Sequence, residues 1–183
     1  MKTMKKEHLM PTVVLGAICL AVAVLLSVLN LFTAPVIEET TKARQAASMS
    51  AAFPSEYGTL AFTEITGELH DVPDTVIGVH KETGGHGYAV LLKRSGYTAE
   101  GISLTVAISP EGDILGTVIT AYAETRDIRD SGLAESFVGK DADTLSDVPL
   151  VSGATKSSKA LRAALSDALK VLSDNGLTGG DAP

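Results

Sequence analysis

The eight residues SGATKSSK, Ser152 to Lys159, gather four hydroxyls and two ammonium groups around one glycine. Such a set suits a phosphate group. At the start of a helix the first backbone amides have no partner within the helix, so they face outward and favour an anion. Gly153 lets the backbone come close to a ligand, and Ala154 adds little bulk. Ser152, Ser157 and Ser158 offer hydroxyls, while Lys156 and Lys159 offer positive charge. Thr155 then stands where its oxygen could touch the phosphate or be esterified to it. A plainer reading competes. Ser and Thr ahead of a helix commonly serve as N-caps, and a turn of small residues can be no more than a turn.

The elements that must position this turn are legible from their periods. From Lys159 onward, Leu161, Leu165, Ala168, Leu169 and Leu172 fall on one helical face, opposite Arg162, Ser166, Asp167, Lys170 and Ser173. Asn175 and Gly176 supply the stop, with Gly176 suited to a left-handed cap. Upstream, the stretches 75–81, 87–93, 102–108 and 114–122 are rich in β-branched residues and predict four strands. SPEGD (109–113) and ETGGHG (82–87) predict the hairpin turns between them. A polar connection with short helical pieces follows, from Ala123 to Leu150. Helices flanking strands with hairpin spacing predict an α+β domain on an antiparallel sheet.

Leu9 to Ile37 holds no charged residue, and its densest part, Val13 to Phe32, matches the ~20 residues that cross a bilayer as helix. The apolar run is too long for a cleaved signal peptide. We therefore expect one N-terminal transmembrane helix at 11–34, after a cytoplasmic segment 1–10. A helical stalk at 35–54 would open on Pro35, followed by a domain at 55–176 and a flexible tail at 177–183. Lys2, Lys5 and Lys6 precede the span, whereas Glu38 and Glu39 follow it, which puts the N-terminus inside and the domain outside. The net charge is −7; residues 1–10 contribute +2, so the rest carries −9. So acidic a body excludes a nucleic-acid partner. The lone Cys19 excludes a disulfide within the chain, and the four histidines lack ligand spacing, so no metal is expected. No Gly-x-Ser-x-Gly elbow occurs, and no residue reads as catalytic.

SGAT at 152–155, followed by small hydroxylated residues and a helix, resembles the FMN-attachment motif of FMN-binding domains. Such domains occur in the single-span flavoprotein of the Rnf electron-transport complex and in a related component of the sodium-pumping NADH:quinone oxidoreductase. The stretch from Gly87 to Thr125, with its Gly-Tyr start, its hairpin and its closing Glu-Thr, is similar to that family's central sheet. The single span and the following NLFTAPVIEETTKARQAA look like the Rnf flavoprotein rather than its longer quinone-reductase counterpart. The resemblance implies FMN covalently attached by its phosphate to the Thr155 hydroxyl, placed there by a flavin transferase. Ser152, Gly153 and Ala154 would shape the phosphate cradle, with Lys156 and Ser157 beside them. Glu124 and Thr125 would stand near the flavin. Three departures are visible: the motif's Asp three residues before the Ser is Pro149 here, Arg126 follows Glu-Thr where the family has Pro, and Lys156 follows the threonine where the family often has an apolar residue.

The implied function is an electron carrier in the cell (inner) membrane. It would be one component of an Rnf-type ion-translocating ferredoxin:NAD oxidoreductase, with other membrane and iron-sulfur subunits as partners, and would not catalyse alone. Tyr88, Tyr97, Tyr122 and Phe137 are candidates to stack on the flavin ring, or else simply core. Lys156, Arg126 and Arg129 are candidates to offset its negative charge. Two alternatives stay open: a flavin carrier of another extracytoplasmic redox pathway, and a non-redox extracytoplasmic binding module whose SGAT turn only caps a helix.

Overall fold

The uncharged run is held in helix α1, Lys6–Ala52, in a computed structural model that describes residues 6–179. Residues 1–5 of the expected cytoplasmic segment and 180–183 of the expected tail lie outside the described residues. Within α1, large apolar side chains are bare: Leu20 is 67% exposed and Phe32 75%. Such a surface suits an apolar environment, and α1 is long and apolar enough to cross a membrane. Pro35 does not open a second helix. It lies inside α1, as does Pro11. A proline deletes one hydrogen bond of the ladder, and in a 47-residue helix the flanking turns outweigh that loss.

The chain forms two units, Met1–Arg44 and Gln45–Pro183. This moves the expected start of the domain, residue 55, ten residues upstream. The reason is burial. Met49, Ala52 and Phe53 are under 7% exposed, in a cluster with Ala89, Leu91 and Ala107 of the sheet. Ser48 Oγ also lies 2.9 Å from Thr105 Oγ1. The last turns of the expected stalk are therefore core of the second unit.

That unit is built on an antiparallel sheet in the order β1-β2-β3-β4-β5. Its strands are β1 (Phe62–Glu64), β2 (Val76–Glu82), β3 (Tyr88–Arg94), β4 (Ile102–Ile108) and β5 (Ile114–Tyr122). The α+β fold agrees with the sequence reading, and β1, three residues long, is the strand that reading lacked. Alternation sorts the faces. Val90, Leu92, Leu104, Val106 and Ile108 point to a core shared with α2 (Thr155–Asp174), where Leu161, Leu165 and Leu172 are fully buried. Fully burying a leucine contributes about 1.5–3 kcal/mol, and these three, with Ala164, Ala168, Leu169 and Val171 beside them, anchor α2 to the sheet. The opposite face presents Ala89, Ala107 and Gly116. A Cβ on Gly116 would stand 2.3 Å from the Ala52 carbonyl oxygen, so only glycine admits the end of α1 there.

β5 has nine residues against seven in β4, and the pair shifts register at Ser103/Leu104 and at Ala107/Ile108. Bulges of this kind re-aim a strand, and here they precede the site-forming segment Tyr122 to Thr125. From there single 3₁₀ turns carry Ile128, Leu133, Phe137, Leu145 and Val148 into the core before α2 begins. The first residues of the expected tail are tied down. Thr178 is buried, and the Gly179 amide donates to the Pro110 carbonyl at 3.2 Å.

Candidate functional site

Gly153 sits in the left-handed region, φ +79°, with open space where a Cβ would be. The turn therefore needs glycine for its backbone angle rather than for room. Ala154 is the residue that precedes the first helical position of α2, and no side chain caps the helix. The cap reading of Thr155 thus fails. Thr155 is the first residue of α2, exposed, and its hydroxyl has no partner among the described residues.

The first helical bond of α2 runs from the Ser158 amide to the Ala154 carbonyl at 2.9 Å. The amides of Thr155, Lys156 and Ser157 are left without a protein acceptor among the described residues. Three N–H groups and the positive end of a 20-residue helix therefore face one spot, which favours an anion.

Two serines expected to face the phosphate are used internally. Ser158, fully buried, donates to the Ala154 carbonyl at 2.9 Å and accepts from the Val151 amide at 3.3 Å, bracing the turn. Ser157, 3% exposed, donates to Glu124 Oε2 at 2.7 Å. A hydroxyl has one hydrogen, so neither can also donate to a ligand. Ser152 is exposed and stands outside the cavity wall.

That cavity, about 320 Å³, is walled by Gly153 to Ser157 on one side and by Tyr97, Thr125 and Arg126 on the other. Its volume lies at the lower end of small-molecule clefts. Among the described residues no acid lines it, and Lys156 and Arg126 do, in a chain whose net charge is −7. The Lys156 Nζ lies 5.1 Å from the centre of the Tyr97 ring, a cation–π distance. Tyr97 is the candidate aromatic at the cavity and is 64% exposed, whereas Phe137 and Tyr88 belong to the core. Tyr122 instead donates its hydroxyl to the Arg126 carbonyl and carries Arg129 over its ring at 5.4 Å. Arg129 is already paired with Asp127 at 2.5 Å, and its hydrogen bonds hold the Asp127 carboxyl down at about 2. Of the three candidate cations, Lys156 and Arg126 are the two at the cavity.

Glu124 does not line the cavity but organises it. Its carboxylate accepts from the Tyr97 amide at 2.7 Å, the Thr98 amide at 3.3 Å and Ser157 Oγ. Burial pushes the Glu124 pKa up; the bonds from Ser157, Tyr97 and Thr98 pull it down and prevail. Sequence reasoning gave Glu124 only by resemblance, and it missed the role of the loop at Gly96. A Cβ on Gly96 would come within 2.8 Å of Glu124 Oε1, so the glycine leaves room for the carboxylate.

The histidines serve elsewhere. His86 stacks on Tyr57 at 4.3 Å, and burial lowers the pKa of His80 against the pull of Glu64. Among the described residues no group of three His, Cys, Asp or Glu side chains could hold a metal.

Residues 96–170 match the family model of the FMN-binding domain. The match opens on Gly96 and so contains Tyr97, Glu124, Thr125 and the entire 152–158 motif. A comparison with curated proteins finds no match for this chain. The residues fit FMN: its phosphate suits the open amides of α2 beside Lys156, and a planar ring suits the exposed face of Tyr97.

Proposed function

We infer that the chain is a membrane-anchored electron carrier with FMN joined through its phosphate to the Thr155 hydroxyl. One observation carries this reading. Among the described residues, Thr155 presents a hydroxyl without a partner at the unbonded amides of α2, on a cavity that no acid lines, within the stretch that matches the FMN-binding domain. The Thr155 hydroxyl and the amides of Thr155, Lys156 and Ser157 would hold the phosphate over the turn shaped by Gly153 and Ala154, and the Lys156 ammonium would balance its charge. Tyr97 and Thr125 flank the remainder of the cofactor, with Arg126 at the rim. Bound FMN supplies one- and two-electron transfer, tuned by the charge and hydrogen bonding around it. A tether keeps the cofactor on a domain outside the cytoplasm, where free FMN is scarce.

On this reading α1 crosses the membrane with its N-terminus inside, and the unit from Gln45 onward stands outside, where a flavin transferase loads it. The assembly it serves is an Rnf-type ion-translocating complex, alongside other membrane and iron-sulfur subunits. Support for that assembly is the resemblance of the span and stalk to the single-span Rnf flavoprotein. The span itself holds no Asp, Glu, Lys, Arg or His from Leu9 to Ile37, so any ion path belongs to partner subunits.

The test is covalent. The full chain, produced with its transferase, should fluoresce as flavin after denaturation, and its mass should exceed that of its amino acids by one FMN less one water. Thr155→Val should be dark, and Thr155→Ser should keep the label. A dark wild type would sink the reading. Purification from the native host would separate the assemblies: an Rnf-type carrier brings other membrane subunits with it, and a carrier of another pathway does not.

A further inference from the structure

One carboxylate joins the two walls of the cavity. The wall that carries Thr155 belongs to α2; the wall that carries Tyr97 belongs to the loop between β3 and β4. These segments are far apart in the chain, and Tyr97, Thr155 and Lys156, which face the cavity, stand outside the hydrophobic core. Glu124, just past β5, reaches both. Its Oε2 accepts from the Tyr97 amide and from Ser157 Oγ, each at 2.7 Å, and its Oε1 accepts from the Thr98 amide. Bonds to an ionised acceptor are shorter and about twice as strong as neutral ones. The loop is locked further where Thr98 Oγ1 donates to the Ala123 carbonyl at 2.9 Å and accepts from the Gly101 amide at 3.1 Å. Gly96 leaves the space that the carboxylate fills.

We propose that Glu124 is a positioning residue that sets the spacing between the Tyr97 loop and the start of α2, so that the acceptor hydroxyl of Thr155 and the ring of Tyr97 are aligned before any cofactor arrives. It touches no part of the cavity and acts through Tyr97 and Ser157. What the aligned groups are for rests on the flavin reading; the alignment itself does not. Ser157 is the helix end of this latch, which explains why its buried hydroxyl turns to Glu124 rather than to the cavity it borders. A glutamine retains one acceptor oxygen, enough for the Tyr97 amide and Ser157 Oγ together, and loses only the bonds from Thr98. An alanine loses all four bonds and leaves two amides without an acceptor.

The test compares the full chain in detergent, flavin-free, as wild type, Glu124→Ala, Glu124→Gln and Ser157→Ala. Amide hydrogen exchange is followed by mass spectrometry in peptides covering 95–101 and 152–158. Each protein is also made with the transferase at a limiting level, and the flavin retained after denaturation is measured. Glu124→Ala should speed exchange in both peptides by about tenfold or more and cut flavin yield by a similar factor, since small misplacements of reacting groups are costly. Glu124→Gln should stay within about twofold of wild type in both readouts, a rescue that loss of packing alone would not give. Ser157→Ala should loosen only the 152–158 peptide, and it decides the question if Glu124→Ala fails to fold. Exchange in Glu124→Ala equal to wild type, or a glutamine as damaging as the alanine, overturns the proposal. If every protein is dark but Glu124→Ala still exchanges faster, the latch stands and the flavin reading falls. If only Thr155→Val is dark and exchange never changes, the reverse holds.

Discussion

A threonine at a helix entrance is usually explained by capping, and Thr155 is not a cap. The preceding residue, Ala154, occupies that position, and the Thr155 side chain is exposed and without a partner among the described residues. Thr155→Val should therefore change stability by no more than about 0.5 kcal/mol, where a lost cap would cost about 1 kcal/mol. A thermal melt of the flavin-free chain decides between the two. Glu124 behaves differently because its bonds favour the charged form. Its folded pKa lies below the ordinary 4.5, so its contribution is fully present above that value and fades as the pH falls through the folded pKa. Glu124→Gln has no such proton to take up. Its melting temperature should fall less steeply than wild type as the pH drops from about 5 to about 3. Asp127 and Asp141, both with lowered pKa values, keep some acid sensitivity in both proteins. Equal slopes would show that Glu124 is not held as an anion. Of these residues, Thr155 could be placed at a helix start from the sequence because its neighbours are small and its motif is local. The work of Ser157 was not legible there, because a hydroxyl's partner 33 residues away leaves no trace in spacing.

Elements were legible to the extent that their burial is periodic. The four long strands and the buried face of α2 follow from alternation and from the 3.6 period, and the structure shifts their ends by a residue or less in the strands. β1 was hidden because three residues, one of them half-buried and two exposed, carry no period to detect. Pro35 misled for a related reason: a local breaker signal is weak against the length of the helix around it. The loop that carries Tyr97 shows how tightly two elements can be joined. Gly101 holds φ +64°, and a Cβ there would stand 2.1 Å from the Arg94 carbonyl oxygen. Gly101→Ala thus meets both a strained backbone and a collision with backbone that cannot move away. We expect a loss of about 3 kcal/mol or more, read from urea denaturation, and a disordered β3–β4 loop. Gly153→Ala, by contrast, meets open space and only the cost of its positive φ, about 1–2 kcal/mol. A Gly101 variant as stable as the Gly153 variant would mean that the turn can open without disturbing β3 and β4.

At the scale of the whole molecule, the sequence drew the domain edge at Pro54, where helix composition gives way to turn and strand. The folded edge lies at Gln45 because a sheet has two faces and each must be covered. α2 covers one. The other, with Ala89, Leu91 and Ala107, is covered by Met49, Ala52 and Phe53. Its small residues are not weak points of the core. They are the shape that the end of α1 requires, and Gly116 beneath Ala52 is the extreme case. Where a chain is cut therefore matters more than how much is removed. A chain that begins at Gln45 lacks the whole apolar run, so it should leave the membrane fraction and melt as the intact second unit does. A chain that begins at Ser55 is only ten residues shorter but gives up the burial of Met49 and Phe53. Each contributes about 1.5–3 kcal/mol, so at least about 3 kcal/mol is lost from a fold that has about 5–15 kcal/mol to begin with. The bared face of β3 and β4 should then bind a hydrophobic dye and draw the shorter chain into aggregates. Matching melting temperatures for the two chains would place the start of the folded unit after Pro54, and the covering role of Met49 and Phe53 would have to be abandoned.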